Sequence, residues 1–337
     1  MRRAVLFKSD RRFDSFRGKL EGYGVQCDVL DFSSQEWLEY DYSKTDILIY
    51  FPSFKYTSNH PLALYDVQDN LAHIHSMYPH LKMFPDAGII RFYNDKYRQH
   101  LFLKARGYPI PESYPLFSRS SVGLAARKLG FPMVIKNRYG AGGDFVKKAN
   151  SEKELIEFYR ISTLDFFNPR GLRHFVKMLS RREFYYYLIK ARRIAYPFFS
   201  PPLLAQKYVS HECDLKTVVG KFKVVEAHWR RKAGGDMWKV NIDGGGIGEW
   251  SYVPEEAIAL SERLARDLDT LWLNIDLLFT GKDFLITEFS PVWHHYAFRE
   301  KPSFVYKEDY NIPVPLEISL DLEKIIVESL LAETGSK

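Results

Sequence analysis

The sequence predicts an α/β protein, with a parallel-sheet domain first and an α+β part built on antiparallel hairpins after it. Three observations carry that expectation. Short apolar runs at 4–7, 25–32 and 46–52 recur about every twenty residues. Helix-period stretches separate them, and parallel neighbours need such long crossovers. Beyond residue 130, strand-like runs instead meet across short loops carrying glycine, the pattern of antiparallel pairs.

Each element has a local reason. Residues 10–23 set Phe13, Phe16 and Leu20 on one helical face, 61–78 read as a further helix, and 89–92 as another strand. No GxGxxG follows the first strand, so there is no dinucleotide fingerprint. Asn94 is the expected cap of a helix over 95–106 that Gly107 stops; Pro109 and Pro111 then force extended chain. Ser118 caps a short helix ending at Gly130. Residues 132–137 read as a buried strand, 138–143 as a glycine-rich loop and 144–149 as the returning strand. Ser151-Glu152-Lys153-Glu154 is a capping box opening the helix over 152–160. Residues 203–209, 214–219 and 222–229 read as antiparallel strands. A helix over 254–268 has Pro254 near its first turn, with Glu255 and Glu256 at its positive end. Residues 272–279 and 284–290 form a hairpin around Gly281-Lys282, and 316–331 a closing helix. The expected domains are 1–92, 93–205 and 206–337.

The chain has 337 residues with 46% hydrophobic and 27% charged content, which excludes wholesale disorder. Cys27 and Cys213 are too few for a disulfide framework or a four-thiolate zinc site and favour a reducing compartment. No signal-peptide core follows Met1-Arg2-Arg3, and no apolar run is long enough to cross a bilayer. A soluble cytoplasmic protein is expected. Aromatics reach 16%, a surplus that permits aromatic-lined clefts.

Three groups could carry chemistry. Lys136 precedes Gly140, Gly142 and Gly143, where backbone N–H groups can approach a polyanion and the lysine can neutralise it; a plain hairpin is the competing reading. Asp276 and Glu288 lie in adjacent strands among apolar neighbours, and facing carboxylates suit a hard divalent cation. A two-residue turn at Gly281-Lys282 would set Asp276 opposite Thr287. A longer turn or a bulge is needed to set it opposite Glu288. The third group is cationic: Lys96, Lys216, Arg230 and Arg231, with Asn241 beyond a flexible loop. His294 and His295 lack a third ligand at zinc spacing, and His228 reads as structural. Finally, residues 160–193 hold nine Lys and Arg against two acids, a net +7 around Phe184-Tyr185-Tyr186-Tyr187. That stretch fits a lid collecting an acidic peptide, a solvated face or, less well, a nucleic-acid surface.

The order of these pieces is more specific than any one of them. Asn94-Asp95-Lys96, Lys136 with its glycine loop, Gln206-Lys207-Tyr208-Val209, Asp214-Leu215-Lys216, Arg230-Arg231, Asn241 and Asn274-Ile275-Asp276 with Glu288-Phe289-Ser290-Pro291 resemble the ATP-grasp superfamily. Within it the chain is similar to the ribosomal-protein glutamate-ligase-like branch of carboxylate–amine ligases. The resemblance runs from about Asn94 through Pro291; residues 1–92 fit the preceding α/β domain in general pattern. It implies ATP, with magnesium or manganese. Lys96 and Lys136 would contact phosphates under the loop of Gly140, Gly142 and Gly143. Gln206, Lys207, Tyr208 and Val209 would form the adenine hinge, and Glu212 would meet the ribose. Lys216, Arg230, Arg231 and Asn241 would serve transferring phosphoryl or acyl-phosphate oxygens, and Asp276, Glu288 and Ser290 the metal. The sequence departs from the family at Ser290, where a stronger amide ligand is usual, at Lys207, where an acid is usual, and at Tyr139. The implied activity joins a carboxylate-bearing molecule or peptide to an amine acceptor, an acidic one among the candidates, through an acyl phosphate. A small-molecule kinase and a nucleotide-binding protein without turnover are the alternatives. A homo-oligomer stays open, and no membrane partner is expected.

Overall fold

A computed structural model describes residues 1–8, 12–51, 64–139, 146–163, 202–234, 238–240, 246–292, 304–306, 313–315 and 321–335. The first unit is a parallel sheet in the order β2-β1-β3-β4, from β1 (Arg3–Phe7), β2 (Gln26–Leu30), β3 (Ile47–Ile49) and β4 (Lys82–Phe84). Helix α1 (Arg12–Gly22) buries Phe16 and Leu20 completely, and they pack with Phe51 and Phe84. Two further helices are α2 (Glu36–Glu39) and α3 (Leu64–Met77).

The fourth strand is a correction. Residues 89–92, expected as a strand, instead hold a 3-10 turn over Ile90–Phe92, and Lys82–Phe84 takes the edge of the sheet. Asp86 causes this: its carboxylate accepts from the Gly88 N–H at 2.7 Å, and its carbonyl accepts from the N–H groups of Ile89 and Ile90. An Asx turn of this kind offers the backbone an alternative to a ladder.

Next come α4 (Lys96–Ala105), β5 (Ser113–Leu116), α5 (Arg119–Leu129), β6 (Met133–Lys136), β7 (Val146–Ala149), α6 (Glu152–Thr163) and β8 (Leu203–Lys207). Asp95, not Asn94, caps α4 by accepting from the Arg98 N–H at 3.0 Å; Asn94 takes φ 56° just before it. Strand β8 is antiparallel, as expected, but its partners are not the strands that follow it. It lies between β5 and β6 in a separate antiparallel sheet ordered β5-β8-β6-β7.

The third sheet is antiparallel and ordered β11-β10-β9-β12-β13, from β9 (Cys213–Gly220), β10 (Lys223–Arg231), β11 (Ile247–Glu249), β12 (Trp272–Phe279) and β13 (Phe284–Ser290). Alternation gives it two different faces. Leu215, Thr217, Val219, Ala227, Trp229, Ile275, Leu277 and Phe289 are buried on one, where the apolar members pack with Ala257, Ile258, Leu264 and Ala265 of α7 (Glu255–Asp267). The other face carries Asp214, Lys216, Arg230, Asp276 and Glu288 beside Val218 and Leu278. Strands β14 (Phe304–Tyr306) and β15 (Pro313–Pro315) pair with each other. Helix α8 (Leu322–Thr334), capped by Asp321, carries Ile326, Val327, Leu330 and Leu331 back into the core of the parallel sheet, joined there by Trp272 and Val292. Among the described residues no helix is long and apolar enough to cross a membrane.

Candidate active site

The polar face of the third sheet is organised in rungs set by strand register. One rung runs Glu288, Asp276, Lys216, His228 across β13, β12, β9 and β10. The next carries Leu278, Asp214 and Arg230, and the rung on the other side carries Ser290, Asn274, Val218 and Glu226. A bulge creates the first of these. Near the turn, Phe279 opposes Phe284 and Leu277 opposes Ile286, a register that would set Asp276 against Thr287. The shift between Asp276 and Leu277 sets it against Glu288 instead, the one-residue correction that the acid pair requires.

Cations surround the pair. Lys216 Nζ lies 3.0 Å from Asp276 Oδ1 and Arg230 Nη2 3.3 Å from the same oxygen. Arg230 is fixed from behind by Asp214, which accepts from Nε and Nη2 at 2.7 Å each. Burial alone would raise the Asp276 carboxyl, but Arg230 and Lys216 outweigh it and hold the group well below the usual carboxylate range. Lys96 Nζ lies 3.7 Å from Glu288 Oε1, although Lys96 belongs to α4. Lys136, at the end of β6, faces the same cleft; burial pushes its ammonium down to about 8, Glu288 works against that, and Lys96 adds to it.

The cleft therefore lies between two sheets. Lys96, Lys136, Gln206, Lys207, Tyr208, Val209, Arg230, Asp276 and Glu288 all line it. Gln206 is buried and donates its amide to Ser113 Oγ at 3.0 Å. Lys148 sits over the Tyr208 ring, 3.9 Å from its centroid. A clamp sets the spacing of Lys96 and Lys136: Arg138 donates to both carboxylate oxygens of Asp95, at 3.0 and 2.6 Å, and the Lys96 N–H donates to the Arg138 carbonyl.

Three expected residues stand apart from this cluster. Arg231 falls on the opposite face from Arg230, because neighbours in a strand alternate, and donates to Glu249 at 2.6 Å. Glu212 is mostly exposed and accepts from Lys232 at 3.0 Å. Ser290 turns its hydroxyl into the chain, donating to the Val292 carbonyl at 2.5 Å. Gly140, Gly142, Gly143, Asn241, His294, His295 and residues 164–193 lie outside the described residues.

Two polar residues on this face went unassigned in the sequence. Asp214 anchors Arg230, and Asn274 shares the face of Asp276 with its Oδ1 buried and without a hydrogen-bond partner. Both sit two residues from an expected site residue on the same strand, so alternation was the available signal. Glu226 and His228, both buried, pair at 2.9 Å, with Trp250 donating to the same Glu226 oxygen at 3.2 Å.

No protein-family model matches the sequence. Phosphoribosylaminoimidazole carboxylase of Saccharomyces cerevisiae is 36% identical over 91 residues, which are 26% of this chain and only 15% of that protein. Solved structures match almost end to end. An ATP-grasp RimK-domain protein from Sphaerobacter thermophilus superposes with TM-score 0.57 at 12% identity, covering 98% of this chain and 99% of its own. D-alanine–D-alanine ligase of Bacillus anthracis gives 0.57 at 13%, covering 99% and 96%. The ATP-grasp ligase PsnB, solved with minimal precursor, Mg and ADP, gives 0.55 at 13%, covering 98% of each. Each of these superpositions spans nearly the whole chain, and the chain has the ATP-grasp fold.

Proposed function

We propose that this protein is an ATP-dependent carboxylate–amine ligase. One observation carries the reading: the bulged acid pair and its cations stand on one sheet face, across a cleft from two lysines of other elements. Phosphoryl transfer needs charge neutralisation and alignment more than a nucleophilic side chain, and this cleft supplies both. The donor chemistry also fits the metal, since Asp276 is held ionised and hard carboxylate oxygens face each other on neighbouring strands.

In this reading Lys96 and Lys136 bind the phosphates of ATP, while the Tyr208–Val209 backbone receives the adenine edge. A substrate carboxylate attacks the γ-phosphorus and the bond to ADP breaks. Arg230, clamped by Asp214, and Lys216 orient the acyl-phosphate oxygens. The amine then adds to the acyl carbon, phosphate leaves with the bonding electrons, and the surplus amine protons pass to solvent. Asp276 and Glu288 would hold magnesium, which when bound would neutralise phosphate charge. The acceptor class that suits the net +7 of residues 160–193 is acidic.

The test is phosphate release from ATP and magnesium over a panel of amino acids and short peptides, with hydroxylamine as a parallel acceptor. Turnover that needs both carboxylate and amine, and hydroxamate formed from hydroxylamine, is the expected result. A stable phosphoester would make the protein a kinase on this scaffold. Nucleotide binding with no turnover would make it a binding protein.

A further inference from the structure

The acid pair is short of ligands. Magnesium-like ions take about six oxygens, several of which can be water and phosphate. Among the described residues, no third His, Cys, Asp or Glu joins Asp276 and Glu288. Ser290 offers little, because its hydroxyl donates to the Val292 carbonyl at 2.5 Å and accepts from the Val292 N–H at 3.3 Å. Directly across the ladder from Ser290 stands Asn274, on the same face as Asp276 and Glu288. Asn274 is 8% exposed, yet its Oδ1 is buried without a hydrogen-bond partner. An acceptor buried and unmade costs free energy, and a site that persists with one has something to place there.

We infer that Asn274 Oδ1 is a third protein ligand of the metal ion held by Asp276 and Glu288. The inference rests on the metal-dependent reading of this cleft given above. Asp276 and Glu288 are a directly opposed pair, with Cβ atoms about 5 Å apart. Asn274 is diagonal to Glu288 and one alternation from Asp276, distances of about 7–8 Å that side chains reaching a common ion can span. The chemistry is also apt. A neutral carbonyl adds a hard oxygen without a third negative charge. Charge is already matched here, with Lys216 and Arg230 against Asp276 and Lys96 against Glu288. The amide that the sequence lacks at position 290 is thereby supplied from the facing strand.

The test titrates the full chain with Mn2+ in the presence of a non-hydrolysable ATP analogue, reading free Mn2+ by electron paramagnetic resonance. Loss of even an outer-shell partner costs about tenfold or more in metal affinity, so Asn274→Ala is expected to weaken Mn2+ by at least about tenfold. Asn274→Asp, which keeps an oxygen in place and adds charge, is expected to bind Mn2+ more tightly than wild type. Thermal unfolding without metal establishes that each variant is folded; if Asn274→Ala is not, the decision passes to Asn274→Asp alone. Unchanged affinity in Asn274→Ala, or no gain in folded Asn274→Asp, would overturn the assignment while leaving the acid pair as a metal site. A wild type that binds no Mn2+ beside the nucleotide would overturn the metal-dependent reading itself, and this ligand with it.

Discussion

Lys136 gives a sharp test of how nucleotide meets this cleft. Its ammonium is pushed down to about 8 from 10.5 by burial, with the neighbouring Lys96 adding to the effect. At pH 8 about half of the free protein therefore carries a neutral Lys136, about a tenth does at pH 7 and about nine-tenths at pH 9. Phosphate oxygens favour the charged form and restore the ordinary lysine range. Binding must then draw protons from solvent: about half a proton per nucleotide at pH 8, about a tenth at pH 7 and about nine-tenths at pH 9. The assay is titration calorimetry with a non-hydrolysable ATP analogue in Hepes and in Tris, whose ionisation heats differ. The difference in binding heat reads the proton uptake directly. Lys136→Met is expected to remove that uptake and to flatten the loss of affinity above pH 8. Identical heats in both buffers at pH 8, or uptake undiminished in Lys136→Met, would refute the binding of phosphate on a Lys136 that burial holds partly neutral. The sign for stability is opposite. Without nucleotide, the unfolded chain binds more protons than the folded one between about pH 8 and 10.5, so this group's contribution to stability improves as pH rises through that window.

Further expectations concern the frame of the site. Asp276→Asn and Glu288→Gln should each lower turnover by about a hundredfold or more in steady-state kinetics; in urea the Asp276→Asn midpoint should fall, because Arg230 and Lys216 lose the carboxylate they hold ionised, while the Glu288→Gln midpoint moves less. Asp95→Ala removes both the cap of α4 and the partner of Arg138, and should cost about 2–4 kcal/mol in urea denaturation; Asp95→Asn keeps a capping oxygen and should cost less. Gly220→Ala would bring a methyl within 2.8 Å of the buried Trp272 ring, so a loss of about 1–3 kcal/mol is expected by the same measurement.

The sequence was most readable where local pattern and final structure share a cause. The hairpin of β12 and β13 has the bounds its apolar runs suggest, and Gly130 ends α5 at φ 67° as a glycine stop should. The bulge could be posed as a condition but not located, because register depends on packing beyond the turn. Partnership over long separations was not legible. β8 reads like the strands that follow it, yet it pairs with Ser113–Leu116, some ninety residues earlier. β4 is three residues long and carries no alternation; its neighbours define it. The charged cluster around Asp276 is legible as residue types, whereas the sequence does not say which of two adjacent arginines faces it: Arg230 does, and Arg231 turns to Glu249.

The return of α8 to the first sheet has a bearing on synthesis. Ile326, Val327, Leu330 and Leu331 complete a core that begins with Ala4 and Val5, and Lys19 and Tyr23 meet Asp321 and Glu328 through side-chain contacts of 2.7 and 2.6 Å. A ribosome making this protein therefore completes the first sheet at Phe84, about 240 residues before the helix that covers it begins at Leu322. Throughout that interval an apolar surface waits uncovered, a liability for any nascent chain of this length. Cotranslational chaperone occupancy should accordingly persist on residues 1–90 until the last helix has emerged.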